Sequence, residues 1–160
     1  MKNNKLIFYP LLSLGIIILQ AYSPVINLGF ATISIDITLV YLSIMAILFD
    51  RFSIIFLGFF IGLAQDLISQ VSLFGLFSFI KSLSSYLMGS IRLHESVWDK
   101  KIKYLVILVT YFIHFFLYFY VMINNNVSIY MILKYSTLQT LFTFGIFWIL
   151  NAFIFRRKLI

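Results

Sequence analysis

Charged residues are scarce in this chain, and their scarcity excludes most classes of soluble protein. Only 11% of the 160 residues are Asp, Glu, Lys or Arg, whereas 62% are hydrophobic. A soluble domain carries roughly a quarter charged residues, so this chain has too few to cover a water-facing surface. Cysteine is absent, which excludes disulfides and thiolate metal sites. Because no Gly/Ser-rich linker, low-complexity tract or repeat is visible either, the sequence predicts one all-α integral membrane domain over residues 1–160.

What the chain does contain is long hydrophobic runs, which predict a single bundle of six transmembrane helices. The apolar segments are residues 6–23, 35–49, 52–68, 73–91, 102–123 and 129–155. About 20 helical residues cross a hydrocarbon core of about 30 Å, so the second and third segments are short. They either cross a locally thinned bilayer or form a hairpin that enters part-way. The first segment also resembles a secretory signal peptide with Ala21 near the cleavage point, but its apolar run is longer than a typical signal core.

The positions of the basic residues predict the topology of these spans. Ten of them fall before, between or after the segments on one side: Lys2, Lys5, Arg51, Arg92, Lys100, Lys101, Lys103, Arg156, Arg157 and Lys158. The loops on the other side, near residues 24–34, 69–72 and 124–128, contain none. The positive-inside rule then places both termini in the cytoplasm. The net charge of +7 is therefore interpreted as a topology signal, with some attraction to anionic membrane lipid, and not as a nucleic-acid surface.

Four charged residues lie within or at the ends of the predicted spans: Asp36, Asp66, Lys81 and Lys134. The predicted topology puts all four in the outer half of the bilayer. A charge at mid-membrane costs about 2.5–3.5 kcal/mol, so such residues usually face the bundle interior and pair. We therefore predict a buried polar cluster or a socket for a partner protein. Two simpler interpretations are open: Asp36 is a helix cap in the interface, and Lys134 extends its ammonium to the headgroups.

The third segment predicts a close contact with the fourth. Gly58, Gly62 and Asp66 are spaced by four residues, so they share one helix face, and the small-xxx-small pair lets another helix approach closely. The fourth segment offers a matching small-residue stripe of Ser78, Ser82, Ser85 and Gly89. We predict that these two antiparallel helices pack together and that Asp66 pairs with Lys81. The alternative is that the glycines only pack and that Asp66 lies in headgroup water.

Other polar residues within the spans predict structure and not catalysis. His114 is expected to be hydrogen-bonded to a neighbouring helix, and Gln139 and Asn151 to join helices by side-chain hydrogen bonds. The sequence contains no nucleophile with its base, no metal-ligand cluster and no phosphate-cradling loop. We therefore predict a protein that is not an enzyme, with no catalytic residue, no cofactor and no metal.

One stretch of the chain resembles the rod shape-determining protein MreD family. The family has a Gly-x-x-x-Gly-Leu-x-x-Asp run on one helix, a Gly about nine residues later, and then a helix that ends in Tyr-Leu and a small residue. The matching positions here are Gly58, Gly62, Leu63, Asp66, Gly75, Tyr86, Leu87 and Gly89. Asp36 matches an acid that begins the preceding helix, and the resemblance covers residues 35–92. At position 77, where the family often has a polar or basic residue, this chain has Phe77, and Lys81 follows one turn later.

This resemblance implies a non-enzymatic subunit of the bacterial cell-elongation machinery in the inner membrane. Such a subunit binds the membrane-anchored scaffold MreC and supports lateral peptidoglycan synthesis and cell shape. It works alongside the actin-like MreB filament, the glycan-polymerising membrane enzyme and its transpeptidase. The family fold is also similar to the S components of energy-coupling factor transporters, which implies an alternative role as a small-molecule (vitamin-type) binding subunit. The first span is bulky and not Ala-rich, which counts against that alternative.

Overall fold

The computed structural model describes residues 3–27, 32–69, 73–122 and 128–154, and these are mostly helical. The helices are α1 Asn3–Ala21, α2 Ile37–Leu48, α3 Arg51–Ser69, α4 Leu76–Leu93, α5 Lys100–Met122 and α6 Ile129–Ile154. Each of the six predicted apolar segments therefore coincides with one helix of the described residues, with ends that differ by a few residues.

Two short strands join α1 to α2, where the sequence analysis expected only a loop. β1 (Val25–Asn27) pairs antiparallel with β2 (Thr32–Ser34), with Val25 opposite Ser34 and Asn27 opposite Thr32. The strands contain four β-branched residues, Val25, Ile26, Thr32 and Ile33, which favour extended backbone. The hairpin therefore gives this connection a fixed geometry at one end of the helical body.

Three helices of the described residues are long and apolar enough to cross a membrane: Arg51–Ser69, Lys100–Met122 and Ile129–Phe153. The α3 helix shows how such a helix is built. Phe52, Phe56 and Phe60 are exposed on one face, while Gly58 and Gly62 are buried on the other. This is the reverse of a soluble helix, in which the bulky apolar residues face the core.

The helix ends that carry basic residues lie together at one end of the helical body. The N-terminus of α3 lies beside the C-terminus of α4, because Arg51 is within van der Waals reach of Gly89. We call the end with Arg51, Arg92, Lys100 and Lys103 the basic end, and the end with β1 and β2 the hairpin end. The predicted cytoplasmic residues Lys2, Arg156, Arg157 and Lys158 lie outside the described residues.

Local hydrogen bonds explain where the helices at the basic end begin and end. The Asp50 carboxylate accepts from Ser53 Oγ (2.7 Å) and Ser53 N (3.2 Å), so it caps α3, and these bonds lower the pKa of that exposed carboxyl. After α4 the chain makes a hydrogen-bonded turn over residues 94–97, in which the His94 ring stacks on Trp98. The chain between the end of α4 at Leu93 and the start of α5 at Lys100 thus contains a turn.

The contact between α3 and α4 is the most extensive in the helical body. A Cβ on Gly62 would lie 2.5 Å from the Phe77 carbonyl oxygen, and one on Gly58 would overlap Ser85 Oγ. Backbone therefore packs on backbone, as the small-residue spacing predicts. Ser82 is only half-buried, and its hydroxyl donates to the Ser78 carbonyl of its own helix (2.7 Å).

Two glycines at the ends of α4 have different tasks. A Cβ on Gly89 would lie 2.8 Å from Arg51 Cγ, so Gly89 is part of the packed contact. Gly75 has no neighbour within 4 Å of its Cβ position, but its φ is +95°, in the left-handed region that favours glycine. Gly75 therefore takes no part in helix packing through its Cβ position. Its role is to let the chain turn into α4.

We expect Gly62→Ala to destabilise the protein, because the added methyl meets α4 backbone, which cannot move without shifting the helix. Overpacking of this kind costs about 1–3 kcal/mol, and Gly62→Leu should be more harmful still. The matched control is Gly145→Ala in α6, where the Cβ position has no neighbour within 4 Å. The measurement is the thermal unfolding midpoint of detergent-purified protein. Equal midpoints for the Gly62→Ala and Gly145→Ala variants would contradict the close contact.

Candidate functional site: a buried ion pair beside a polar cavity

A fully buried lysine defines the site. Lys81, in the second turn of α4, donates from Nζ to Asp36 Oδ2 (2.8 Å) and to Thr38 Oγ1 (2.6 Å). Lys81 is 0% exposed and Asp36 is 5% exposed. The predicted pair of Lys81 with Asp66 is therefore wrong, because the ammonium is bonded to Asp36. A buried charge needs a partner in the protein, and α2 supplies it.

Asp36 performs two tasks at once. It precedes α2 as its N-cap, where Oδ1 accepts from Leu39 N (2.8 Å) and from Thr38 Oγ1 (2.6 Å). Its other oxygen faces Lys81. The two interpretations of Asp36 in the sequence analysis, helix cap and member of a charged cluster, are thus both realised by one carboxylate. The cap fixes the side-chain orientation, and the second oxygen is left to receive the ammonium.

Asp66 has a different set of partners on the same end of the protein. Its carboxylate accepts from Phe77 N (3.0 Å), Ser78 N (3.0 Å) and Ser78 Oγ (2.6 Å). Since Gly75 at the N-cap of α4 has no side chain, the first turn of α4 receives its cap from α3. Asp66 is 2% exposed, so the alternative in which it lies in headgroup water is not what the structure has.

His114 from α5 completes the cluster, whereas Lys134 is not part of it. The His114 ring is buried, with Nδ1 3.0 Å from Ser84 Oγ on α4 and Nε2 3.5 Å from Asp36 Oδ2. Lys134 is exposed on α6, so its assignment to the buried cluster is wrong. Lys134 lies close to the start of α6, so its long side chain can reach water there. It therefore needs no acidic partner in the protein interior.

Several polar residues that sequence reasoning missed belong to the same region. Ser43 on α2 and Tyr111 on α5 are hydrogen-bonded through their hydroxyls (2.6 Å), and both are buried. At the end of α1, the Gln20 side chain accepts from Ile37 N (2.6 Å) and donates to the Ile35 carbonyl (3.1 Å). Each is a polar residue in an apolar segment, which is the signal that could have singled it out.

Gln139 and Asn151 of α6 form hydrogen bonds with partners that the sequence did not identify. Gln139 donates from Nε2 to the Ser34 carbonyl of β2 (2.8 Å), so it joins a helix to the hairpin. Asn151 donates to the Tyr104 hydroxyl of α5, which is the inter-helix bond expected of it. Among the described atoms, Gln139 Oε1 and Asn151 Oδ1 are buried without a hydrogen-bond partner.

A cavity at the hairpin end leads toward the ion pair. Its volume is about 530 Å³, and a second cavity of about 50 Å³ lies deeper, lined by Asp36, His114 and Gln139. The two cavities share their walls at Gln20, Ser34, Gln65, Phe77 and Tyr118. Phe77, which stands where a polar residue was expected, stacks on Tyr118 in this wall. The smaller cavity is large enough for water and is lined by polar groups that water needs.

The arrangement is suited to binding and to holding helices together. Within the described ranges, no group of three metal-ligating residues is close enough to hold a metal ion. Among the charged residues of the site, each carboxylate oxygen is already engaged by an ammonium, a backbone amide or a hydroxyl. Of the described residues that line these two cavities, Gln139 keeps a buried acceptor without a hydrogen-bond partner.

No protein-family model matches this chain, and no curated protein and no solved structure matches it.

We expect the Asp36→Asn and Lys81→Met variants each to be strongly destabilised, since removing one partner of a buried pair costs about 3–5 kcal/mol. Asp36→Asn keeps an oxygen to cap α2. The double variant should lose much less than the sum of the two, as measured by a double-mutant cycle on thermal unfolding. The control is Lys134→Met, which changes an exposed lysine and should have little effect. Additive losses for Asp36 and Lys81 would contradict the pair.

Proposed function

We propose that this protein is an MreD-like, non-enzymatic subunit of the bacterial cell-elongation machinery. The observation that carries the proposal is the sequence run from Gly58 to Gly89, in which Gly58, Gly62, Asp66 and Gly89 both carry the resemblance and build the α3–α4 contact. Gly58 and Gly62 lie against α4, and Asp66 caps its first turn. These motif residues pack two helices together, and none of them is a catalytic group. Such a motif supports a structural role for the subunit.

The proposed topology is six crossings of the inner membrane with both termini in the cytoplasm. The three long apolar helices support crossings by α3, α5 and α6. Arg51, Arg92, Lys100 and Lys103 all lie at the basic end, which the positive-inside rule assigns to the cytoplasm. With 12 residues, α2 is about 18 Å long, so it either spans a thinned bilayer or enters it part-way.

In this proposal the buried cluster is a clasp that keeps the outer half of the helical body in one shape. Asp36, Lys81 and His114 join α2, α4 and α5, and Asp66 joins α3 to α4. A rigid outer half would present a constant surface to the membrane-anchored scaffold MreC. Contacts with the MreB filament, the glycan-polymerising enzyme and its transpeptidase would then be indirect, through the scaffold.

Depletion of the protein in its own cells tests the proposal. We expect rod-shaped cells to become round while their nutrient requirements stay unchanged, because the elongation complex loses a subunit. The measurement is cell width and length by microscopy, together with growth on defined media. Cells that keep their shape after complete depletion would refute the assignment.

At the residue level, we expect Asp66→Ala to lower the amount of protein in the membrane and its co-purification with MreC. The change leaves two buried amides of α4 without an acceptor, at about 1–3 kcal/mol each. The control is Asp50→Ala, which removes an exposed cap at the basic end and should have a much smaller effect. Wild-type levels, co-purification and cell shape in the Asp66→Ala strain would contradict the role given to Asp66.

A second candidate function, a small-molecule binding subunit of a transporter, is favoured by one observation. The cavity of about 530 Å³ at the hairpin end falls within the range of about 300–1,000 Å³ that is usual for small-ligand sites. The same depletion strain separates the two functions. Normal cell shape with loss of uptake of one nutrient would support the transporter subunit and exclude the elongation subunit.

A further inference from the structure

A third cavity lies at the basic end and is independent of the site described above. It has a volume of about 250 Å³ and lies between the ends of α2, α4, α5 and α6. Its walls include the apolar side chains of Ile47, Ile91, Ile107 and Phe147, and its polar residues are Arg92, Glu95, Lys100, Lys103, Tyr104 and Asn151. The cavity therefore combines an apolar floor with a rim that carries three bases and one acid.

The single acid does not neutralise the rim. The Glu95 carboxylate is bonded to Arg92 (2.9 Å), while Lys103 Nζ donates to the Glu95 carbonyl (3.1 Å). Within the described ranges Lys100 has no acidic partner. The rim thus keeps a net positive charge, and Arg92 retains donors that Glu95 does not use. An anion is the ligand that this charge favours.

The cavity wall also contains an unused acceptor. Asn151 Oδ1 is buried and has no hydrogen-bond partner among the described atoms, while its Nδ2 donates to the Tyr104 hydroxyl. A buried acceptor without a donor is costly, so its donor is expected to come from water or from a ligand. A ligand that carries an anion and a hydroxyl group would satisfy both the rim and Asn151.

The position of the cavity indicates where such a ligand would come from. Lys100 is the first residue of α5, one of the three helices that are able to cross a membrane, so the cavity lies where this helix would leave the hydrocarbon core. Basic pockets between transmembrane helices bind the headgroups of anionic lipids. The apolar floor formed by Ile47 and Phe147 suits the first part of an acyl chain.

We propose that this cavity binds the headgroup of a glycerol-bearing anionic phospholipid of the phosphatidylglycerol class. The phosphodiester lies among Arg92, Lys100 and Lys103, and a headgroup hydroxyl donates to Asn151 Oδ1. The proposal requires that α5 spans a membrane, but it does not depend on a role in cell elongation.

Native mass spectrometry of the full-length protein in detergent tests the proposal. Phosphatidylglycerol, phosphatidylserine and phosphatidylcholine with identical acyl chains are titrated separately, with inorganic phosphate as a competitor. We expect phosphatidylglycerol to bind most tightly, because the basic rim repels the ammonium of the phosphatidylserine headgroup and phosphatidylcholine lacks the net charge. Millimolar phosphate should not displace the lipid, since it offers no acyl chain for the apolar floor.

Substitutions assign the binding to this cavity. Lys100→Gln with Lys103→Gln should weaken both anionic lipids by at least about fivefold, since each base near a membrane surface contributes about a factor of five. Lys101→Gln is the matched control, because Lys101 is adjacent and exposed but does not line the cavity. Asn151→Leu should instead weaken phosphatidylglycerol binding, because the headgroup hydroxyl loses its acceptor.

Three results would overturn the proposal. These are phosphatidylglycerol binding that is unchanged in the Lys100/Lys103 double variant, an equal loss in the Lys101→Gln control, and displacement of the lipid by free phosphate. If the double variant is not monodisperse, Lys100→Gln alone serves, because Lys100 is exposed and forms no ion pair within the described ranges. Its smaller expected loss is compared with the same Lys101→Gln control.

Discussion

The hairpin end of this protein is organised by the need to neutralise one buried ammonium group. Lys81 is fully enclosed, so its charge must be compensated by the protein and not by water. Asp36 does this from the start of α2, and its orientation is fixed because its other oxygen caps that helix. His114 then approaches the same carboxylate from α5. Three helices that are distant in sequence are thereby held at one point.

Of the helices that surround Lys81, α4 has the least hydrophobic composition. Several of its polar groups are hydrogen-bonded within α4 or by the neighbouring helices. The Ser82 and Ser84 hydroxyls donate to carbonyl groups of the preceding turn, and the Ser78 hydroxyl donates to Asp66, so these three need no water. Gly75 turns the chain into the helix but cannot cap it, and Asp66 supplies the cap from α3. The two acids therefore differ in role: one neutralises a charge, and the other completes a helix.

The two ends of the helical body carry different chemistry. At the hairpin end, polar cavities reach charges that are already paired, which suits a rigid clasp or the binding of a small polar molecule. At the basic end, the cavity has exposed bases and an unused acceptor, which suits an anionic headgroup. The cavity at the basic end shares no lining residue with those at the hairpin end, so the two ends carry separate sites.

The sequence by itself determined the helical segments and the face on which α3 meets α4. Asp36, Asp66 and Lys81 could be singled out because burying a charge is costly. The four-residue spacing places Gly58, Gly62 and Asp66 on one side of α3, whichever helix packs against it. Only the tertiary structure decided that Lys81 binds Asp36, 45 residues away, and that Asp66 caps α4. Periodicity fixes directions around one helix axis, whereas the choice of partner depends on how helices from distant parts of the chain are rotated and shifted against each other.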